Sequence, residues 1–296
     1  MKLIPIEKRS GLTREEFISE YLKPKRPVVF TDLAKDWPAV NKWTFDWLRE
    51  NHGDIQVPLF DKHIHDPDKY FQPAKIMSFG DYLSLIEKGP IDLRIFLFDI
   101  FKEAPELKND IRFPTIMDGF LKGYKFVFFG GQGSITGLHY DMDCSNVFLT
   151  QFQTRKELIL FAPEERYRLY HLPFTVMSKV DPINPDYEKY PAMRGLQGYH
   201  TILNHGETIF IPSLWWHYIR YIDGGFSLAL RANDSPLTFM RGAFNLVRHK
   251  FVDMGMTWAL GKKWHNWKHQ KAAENALQAI EEDRRTGRNV DDQVAV

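Results

Sequence analysis

The chain has 296 residues, enough for one large domain with an appendage or for two small domains. Its 44% hydrophobic and 26% charged residues are those of an ordinary globular protein, and a formal net charge of +1 excludes a global field that would gather nucleic acid or an acidic membrane. A single cysteine, Cys144, excludes a disulfide framework within the chain and points to a reducing, cytoplasmic setting; the stretch MKLIPIEKRSGL lacks a signal-peptide core, and no apolar run is long enough to span a bilayer.

Residues 1–120 read as an N-terminal α/β segment packed on a β core. Thr13, with Glu16 three residues on, forms a capping box. It predicts a helix that carries Phe17, Ile18 and Tyr21 inward and stops before Pro24. Pro27 to Phe30 is a short apolar strand, Asp36-Trp37-Pro38 a turn, Lys42 to Glu50 a second helix, and Asp54 to Leu59 alternates as a strand does. Residues 61–75 form a polar loop holding His63, His65, Asp66 and Asp68, a rival metal cluster without a flanking strand pattern. Met77 to Lys88 is an amphipathic helix with Phe79, Tyr82, Leu83 and Ile86 at helical spacing, and Leu93 to Asp99 reads as a buried strand. Lys102 to Asp110 is a short helix or loop.

Residues 121–235 change texture. KFVFFGGQGSITGLH, NVFLTQFQ, KELILFAP, TIFIPS, WWHYIRYI and FSLALRA are strand-like runs punctuated by Gly, Pro and polar turns, so this core is mainly β, a sandwich or barrel. The Tyr- and Pro-rich insert 164–200 resembles a loop that covers a site. Residues 236–296 are helical. Met240, Ala243, Phe244, Val247, Phe251, Met254 and Trp258 recur every three or four residues, and a second helix is predicted from Trp264 to Glu282. The run KKWHNWKHQK fits a nucleic-acid or membrane patch, but acidic EEDR comes closely after it. A helix pair that packs on the barrel or forms a homodimer is the better reading.

His139 and Asp141 are separated by one residue on a strand, so their side chains share a face. His217, on a later strand introduced by Gly206-Glu207 and Ile211-Pro212-Ser213, completes two imidazoles and one carboxylate. That set occupies one face of an octahedron and leaves three positions open, which suits a non-haem Fe(II) oxygenase. With 11 histidines in the chain, the same triplet also fits a strand-end histidine bonded to a nearby acid. The glycine-rich turn Gly130-Gly131-Gln132-Gly133 before the motif, and Thr136 three residues ahead of the histidine, favour the metal reading.

The ordered series HYD, RKELILFAP, GETIFIP…WWH and GGFSLALR resembles the JmjC-type cupin-like 2-oxoglutarate dioxygenases. It is closest to the branch of the asparaginyl hydroxylase that acts on hypoxia-inducible factor and its bacterial cupin-like relatives. The resemblance covers about residues 5–235 and includes RPVVFTDLAKDWPA. It implies a double-stranded β-helix (a jelly-roll of cupin type) with Fe(II) at its open end and 2-oxoglutarate and dioxygen (O2) as co-reactants. It assigns the iron ligands to His139, Asp141 and His217. It assigns the far carboxylate of 2-oxoglutarate to Lys156 and Thr136, and a cosubstrate contact to Asn146, whose spacing from the histidine is one residue longer than in the family. Arg231 stands where relatives carry an asparagine; it either binds the cosubstrate carboxylate or pairs with Asp143. Phe96 and Phe98 fall at the substrate cleft or in the core, and the Trp215-Trp216 pair is mostly core.

The reaction expected from the resemblance is hydroxylation of an unactivated C–H bond on a protein or peptide side chain. A free amino acid or natural-product intermediate is the alternative substrate, and a non-catalytic cupin-like scaffold the alternative role. The near-zero charge disfavours a nucleic-acid substrate, and the resembling branch dimerises through C-terminal helices.

Overall fold

The structure, a computed structural model, describes residues 1–61, 72–96 and 98–288. Its strands, in chain order, are β1 (Lys2–Pro5), β2 (Lys8–Arg9), β3 (Val28–Phe30), β4 (Gln56–Phe60), β5 (Lys75–Ser78), β6 (Arg94–Ile95) and β7 (Phe120–Gly130). The later strands are β8 (Ile135–His139), β9 (Asn146–Phe152), β10 (Lys156–Phe161), β11 (Gln197–Leu203), β12 (Thr208–Ile211), β13 (Trp216–Tyr221) and β14 (Gly225–Ala232). The helices are α1 (Arg14–Phe17), α2 (Pro38–Lys42), α3 (Phe45–His52), α4 (Phe79–Lys88), α5 (Ile100–Glu103), α6 (Pro236–Val247), α7 (Met254–Leu260) and α8 (Lys262–Thr286).

From β7 onward the chain winds back and forth between two sheets. The smaller has the order β1-β11-β10-β13-β8, the larger β2-β3-β12-β9-β14-β7-β6-β4-β5. Alternation along the strands sorts side chains to the two faces. Leu158, Leu160 and Ile219 of the small sheet meet Val147, Leu149, Ile209 and Ala229 of the large one in the space between them. This is the mainly β jelly-roll expected from the sequence, and its interior holds the candidate site.

The outer face of the large sheet carries Phe148, Phe152, Phe210 and Phe226, and the N-terminal helices cover it. Phe17 packs edge-on to Phe210 at 4.9 Å, a contact worth about 1 kcal/mol beyond its area. Helix α1 starts as predicted: the Glu16 amide donates to the Thr13 hydroxyl at 3.2 Å and the Thr13 amide donates to the Glu16 carboxylate at 2.9 Å. After Phe17 the chain continues as one π turn, Ile18–Leu22.

Three local expectations shift. Helix α3 begins at Phe45 rather than Lys42, because the Thr44 hydroxyl caps it by accepting from the Trp47 amide. Among the described residues of the run Leu93 to Asp99, Arg94 and Ile95 alone pair as a strand. The insert 164–200 lies against the outer face of the small sheet, where Leu169, Leu172, Val176 and Met193 pack on Ile159, Phe161 and Trp216, with Ala272 and Ala276 of α8 closing the layer. It buttresses that face with its apolar residues, and it also runs along the edge of the sheet, where Met177 pairs with His139, the Tyr140 amide donates to the Val176 carbonyl and the Ser178 amide donates to the Leu138 carbonyl. Residues His63, His65, Asp66 and Asp68 lie outside the described residues. Among the described residues, no helix is long and apolar enough to cross a membrane.

Candidate active site

Strands β8 and β13 run antiparallel with His139 directly opposite His217. A register shift then sets Thr136, not Gly137, opposite Ile219. This bulge keeps Thr136 and His139 on the interior face although they are an odd three positions apart. The two imidazoles lie 4.2 Å apart between ring centres at 58°. Asp141 stands just past the end of β8. One ligand atom from each of His139, Asp141 and His217 lies within 4.8 Å of the others.

The ring chemistry is already set for a cation. Nδ1 of His139 is 2.8 Å from the Gly137 carbonyl, and Nδ1 of His217 is 3.1 Å from the Trp215 carbonyl. A proton on each Nδ1 leaves Nε2 as the free lone pair. Burial, reinforced by the facing His217, pushes the His139 pKa down to about 4, and burial lowers that of His217 as well. Both rings are therefore neutral near pH 7. Burial works against the Asp141 charge, but Arg231, joined by the two imidazoles once acid protonates them, outweighs it and holds the carboxyl well below the usual carboxylate range. Two neutral nitrogens and one ionised carboxylate, converging with fixed tautomers, fit a divalent metal of the Fe(II) type.

Arg231, on β14, is shared. One guanidinium nitrogen donates to Asp141 at 2.9 Å; the other donates to Asp143 at 2.9 Å and to the Ser145 hydroxyl at 3.2 Å. The pairing with Asp143, one of its two sequence readings, is present, and it extends to Asp141.

Lys156 opens β10 opposite Tyr221, four positions along β13 from His217. Its ammonium donates to the Ser227 hydroxyl and lies 4.0 Å from the centre of the Tyr221 ring. Ser227 in turn donates to Gln151 at 2.6 Å. Only 1% of Lys156 is exposed. Burial alone brings its pKa down to about 7, because a buried ammonium held by a hydroxyl and a ring face is under-compensated.

Asn146 is not part of this constellation. It shares a register row with Ala232 on the opposite face of the large sheet. Its side-chain oxygen accepts from the Ser213 amide at 2.9 Å and its amide donates to the Ala232 carbonyl at 3.4 Å. Ser145 faces the interior in its place, hydrogen-bonded to Asp143. The one-residue excess in spacing was the signal. Phe96 rests on Phe128 at 6.2 Å, within a row that continues through Phe126 to Tyr124, beneath Arg231. Phe98 packs into the core beneath the large sheet. Trp215 joins the interior and Trp216 the outer layer. Tyr221, Ser227 and Gln151 were missed by sequence reasoning. Period-two spacing from Arg231 back through Ala229 to Ser227 could have found the serine; the tyrosine and glutamine need the cross-strand register.

Comparison with known protein families matches residues 13–233 to the cupin-like domain. The chain is 28% identical over 224 residues to lysine-specific demethylase 8 of Xenopus tropicalis (73% of this chain, 50% of that protein). It is 30% identical over 242 residues to JmjC domain-containing protein D of Dictyostelium discoideum (72% and 53%). It is 29% identical over 253 residues to tRNA wybutosine-synthesizing protein 5 of Gallus gallus (77% and 76%). The chain thus spans about half the length of the first two. With most of its length matched, and the jelly-roll and His-Asp-His group in place, the chain belongs to the JmjC-type cupin-like family, a family of 2-oxoglutarate-dependent oxygenases.

Proposed function

We propose that the chain is an Fe(II)- and 2-oxoglutarate-dependent oxygenase that hydroxylates an unactivated C–H bond, with a protein or peptide side chain as substrate. The observation that carries this reading is a three-donor metal face and an under-compensated buried lysine in one interior. When bound, the metal and cosubstrate supply the oxidation of the C–H bond by dioxygen, coupled to decarboxylation of 2-oxoglutarate to succinate and carbon dioxide. His139, Asp141 and His217 hold the cation. Lys156 offers its charge to the far carboxylate of the cosubstrate, with Thr136 on the same interior face, and Ser227 and Tyr221 keep the ammonium aimed inward. Arg231 fixes the direction of Asp141 rather than gripping the cosubstrate. Leu158, Leu160 and Ile219 keep water from the interior. The aromatic row Phe96, Phe128, Phe126 and Tyr124 lines the approach for the substrate.

Of the relatives, one is named for lysine demethylation and one for tRNA wybutosine synthesis. A net charge of +1 favours a protein over RNA for this chain. The test is succinate formation with Fe(II) and 2-oxoglutarate, with and without candidate peptides. Turnover in the wild type that is lost in His139→Ala and Asp141→Ala is expected. Absence of turnover, together with no 2-oxoglutarate-dependent thermal shift, sinks the enzyme reading.

The same chain forms a homodimer through its C-terminal helices. Phe239, Phe244, Phe251 and Trp258 are 62%, 69%, 69% and 90% exposed, and large apolar side chains left exposed along successive helical turns suit a protein interface. Phe251→Arg combined with Trp258→Arg is expected to convert the dimer to monomer in sedimentation velocity. A wild type that sediments as a monomer at all concentrations removes the dimer.

A further inference from the structure

Helix α6 meets the body of the protein with an unusual face. Its buried residues are Thr238, Gly242 and Asn245, one stripe spaced four and three residues apart. Its large apolar residues, among them Phe239, Met240 and Phe244, face away. A stripe of small and polar residues gains little from hydrophobic burial. What it provides is close approach and directional bonding, and both fall on the loop between Asp141 and β9.

The approach is at Gly242. A Cβ there would lie 2.0 Å from the Asp143 carbonyl oxygen and 2.7 Å from its carbon. Only glycine lets the helix backbone rest on that peptide. One turn along, the Asn245 side-chain amide donates to the Met142 carbonyl at 2.9 Å. The loop is also tied elsewhere. The Cys144 amide donates to the Asp141 carbonyl at 3.0 Å, the Ser213 hydroxyl donates to the Cys144 carbonyl at 2.5 Å, and Arg231 bonds Asp141 and Asp143 from the interior. Helix α6 therefore closes the outer side of a short segment whose first residue is the one carboxylate of the metal group.

We propose that Gly242 and Asn245 are positioning residues for the metal centre: through the Met142–Asp143 peptide they set the direction of the Asp141 carboxylate. This rests on the metal reading of His139, Asp141 and His217. A carboxylate on a short side chain moves with its backbone, and metal–ligand distances tolerate only about 0.2 Å. A small displacement of the loop by α6 is thus read out as metal affinity and ligand field. No contact between α6 and the cation is needed.

The experiment uses the full chain and Co(II) as the probe, without cosubstrate, reading affinity by calorimetry and coordination by the visible d–d bands. Gly242→Ala is expected to raise the Co(II) dissociation constant by about 10-fold or more and to shift the bands, the scale seen for lost outer-shell partners. Asn245→Leu, which keeps the volume but not the donor, is expected to do the same more weakly, by about 3- to 10-fold. Thr238→Ala lies in the same stripe but its hydroxyl bonds Asp234 and Ser235. It is expected to lower Tm while leaving Co(II) affinity and spectrum at wild-type values. A folded Asn245→Leu with wild-type affinity and bands overturns the proposal, as does Thr238→Ala matching it in both readouts. Wild type that binds Co(II) no better than His217→Ala overturns instead the metal reading beneath it.

Discussion

Lys156→Met is expected to weaken 2-oxoglutarate binding by about two to three orders of magnitude while raising the stability of the free protein at neutral pH. Removing one member of a buried charge pair costs about 2–5 kcal/mol, and each 1.4 kcal/mol is tenfold in affinity. In the free protein the ammonium meets the Ser227 hydroxyl and the Tyr221 ring, and burial lowers its pKa to about 7. The folded state thus favours the neutral amine. Its contribution to stability is fully present above the unfolded pKa, about 10.4, and is lost as pH falls through the interval down to about 7. Methionine keeps the apolar stem without the charge, so it removes this cost. The cosubstrate's far carboxylate restores the ammonium, so wild-type binding takes up a proton above pH 7 and weakens as pH rises from there. Titration calorimetry from pH 6 to 9, in buffers of differing ionisation enthalpy, reads both effects. An unchanged dissociation constant in Lys156→Met removes Lys156 from the site.

How far the site was legible in the sequence depends on the range of each signal. His139 and Asp141 were legible because period-two alternation is local to one strand. His217 needed only the turn chemistry that starts its strand. Lys156 came with the family resemblance, and the structure adds why a lysine suits the position: among the described residues no carboxylate pairs with it. Asn146 falls on the other face because, on a strand, a one-residue excess in spacing from the histidine turns the side chain over. Ser145 then takes the interior place. Tyr221 and Gln151 depend on register between strands far apart in the chain, which no local pattern carries. The C-terminal helices show a further limit. Apolar residues every three or four positions announce a helix with an apolar face, but not whether that face meets its own domain. Here it is the small, polar stripe that turns inward. The insert 164–200 was identified as structured, but composition does not say that its apolar residues pack on the outer face of the small sheet while Met177 pairs with His139 at its edge.

Arg231→Leu should reverse the response of this centre to pH and make its stability depend on a divalent cation. In the wild type, Arg231 bonds both Asp141 and Asp143, whose side chains are 17% and 18% exposed. Burial opposes the Asp141 charge, yet Arg231 and the imidazoles hold its pKa below the unfolded value. Its contribution is therefore present above the unfolded pKa and lost as pH falls through the folded one. Asp143 runs the other way, because burial and Asp141 raise its pKa in spite of Arg231. With leucine at 231, both carboxyls keep the burial and the mutual repulsion and lose the cation. Asp143 then keeps a folded pKa above its unfolded one with Arg231 no longer opposing it, and Asp141 keeps only imidazoles that are neutral near pH 7, so stability falls as pH rises into the range where both carboxyls are ionised. Breaking a buried pair from one side costs about 3–5 kcal/mol, with the lower end apt for groups this exposed. A divalent cation at the His139, Asp141 and His217 group replaces the missing positive charge. At 100 times its dissociation constant it returns about 2.7 kcal/mol. Urea unfolding at pH 5 and pH 8, with and without Mn(II), should show the variant closest to wild type at pH 5 without metal, weakest at pH 8 without metal, and largely restored at pH 8 with metal. A variant as stable as wild type at pH 8 without metal, or one that Mn(II) does not stabilise, contradicts a shared Arg231 at the metal face.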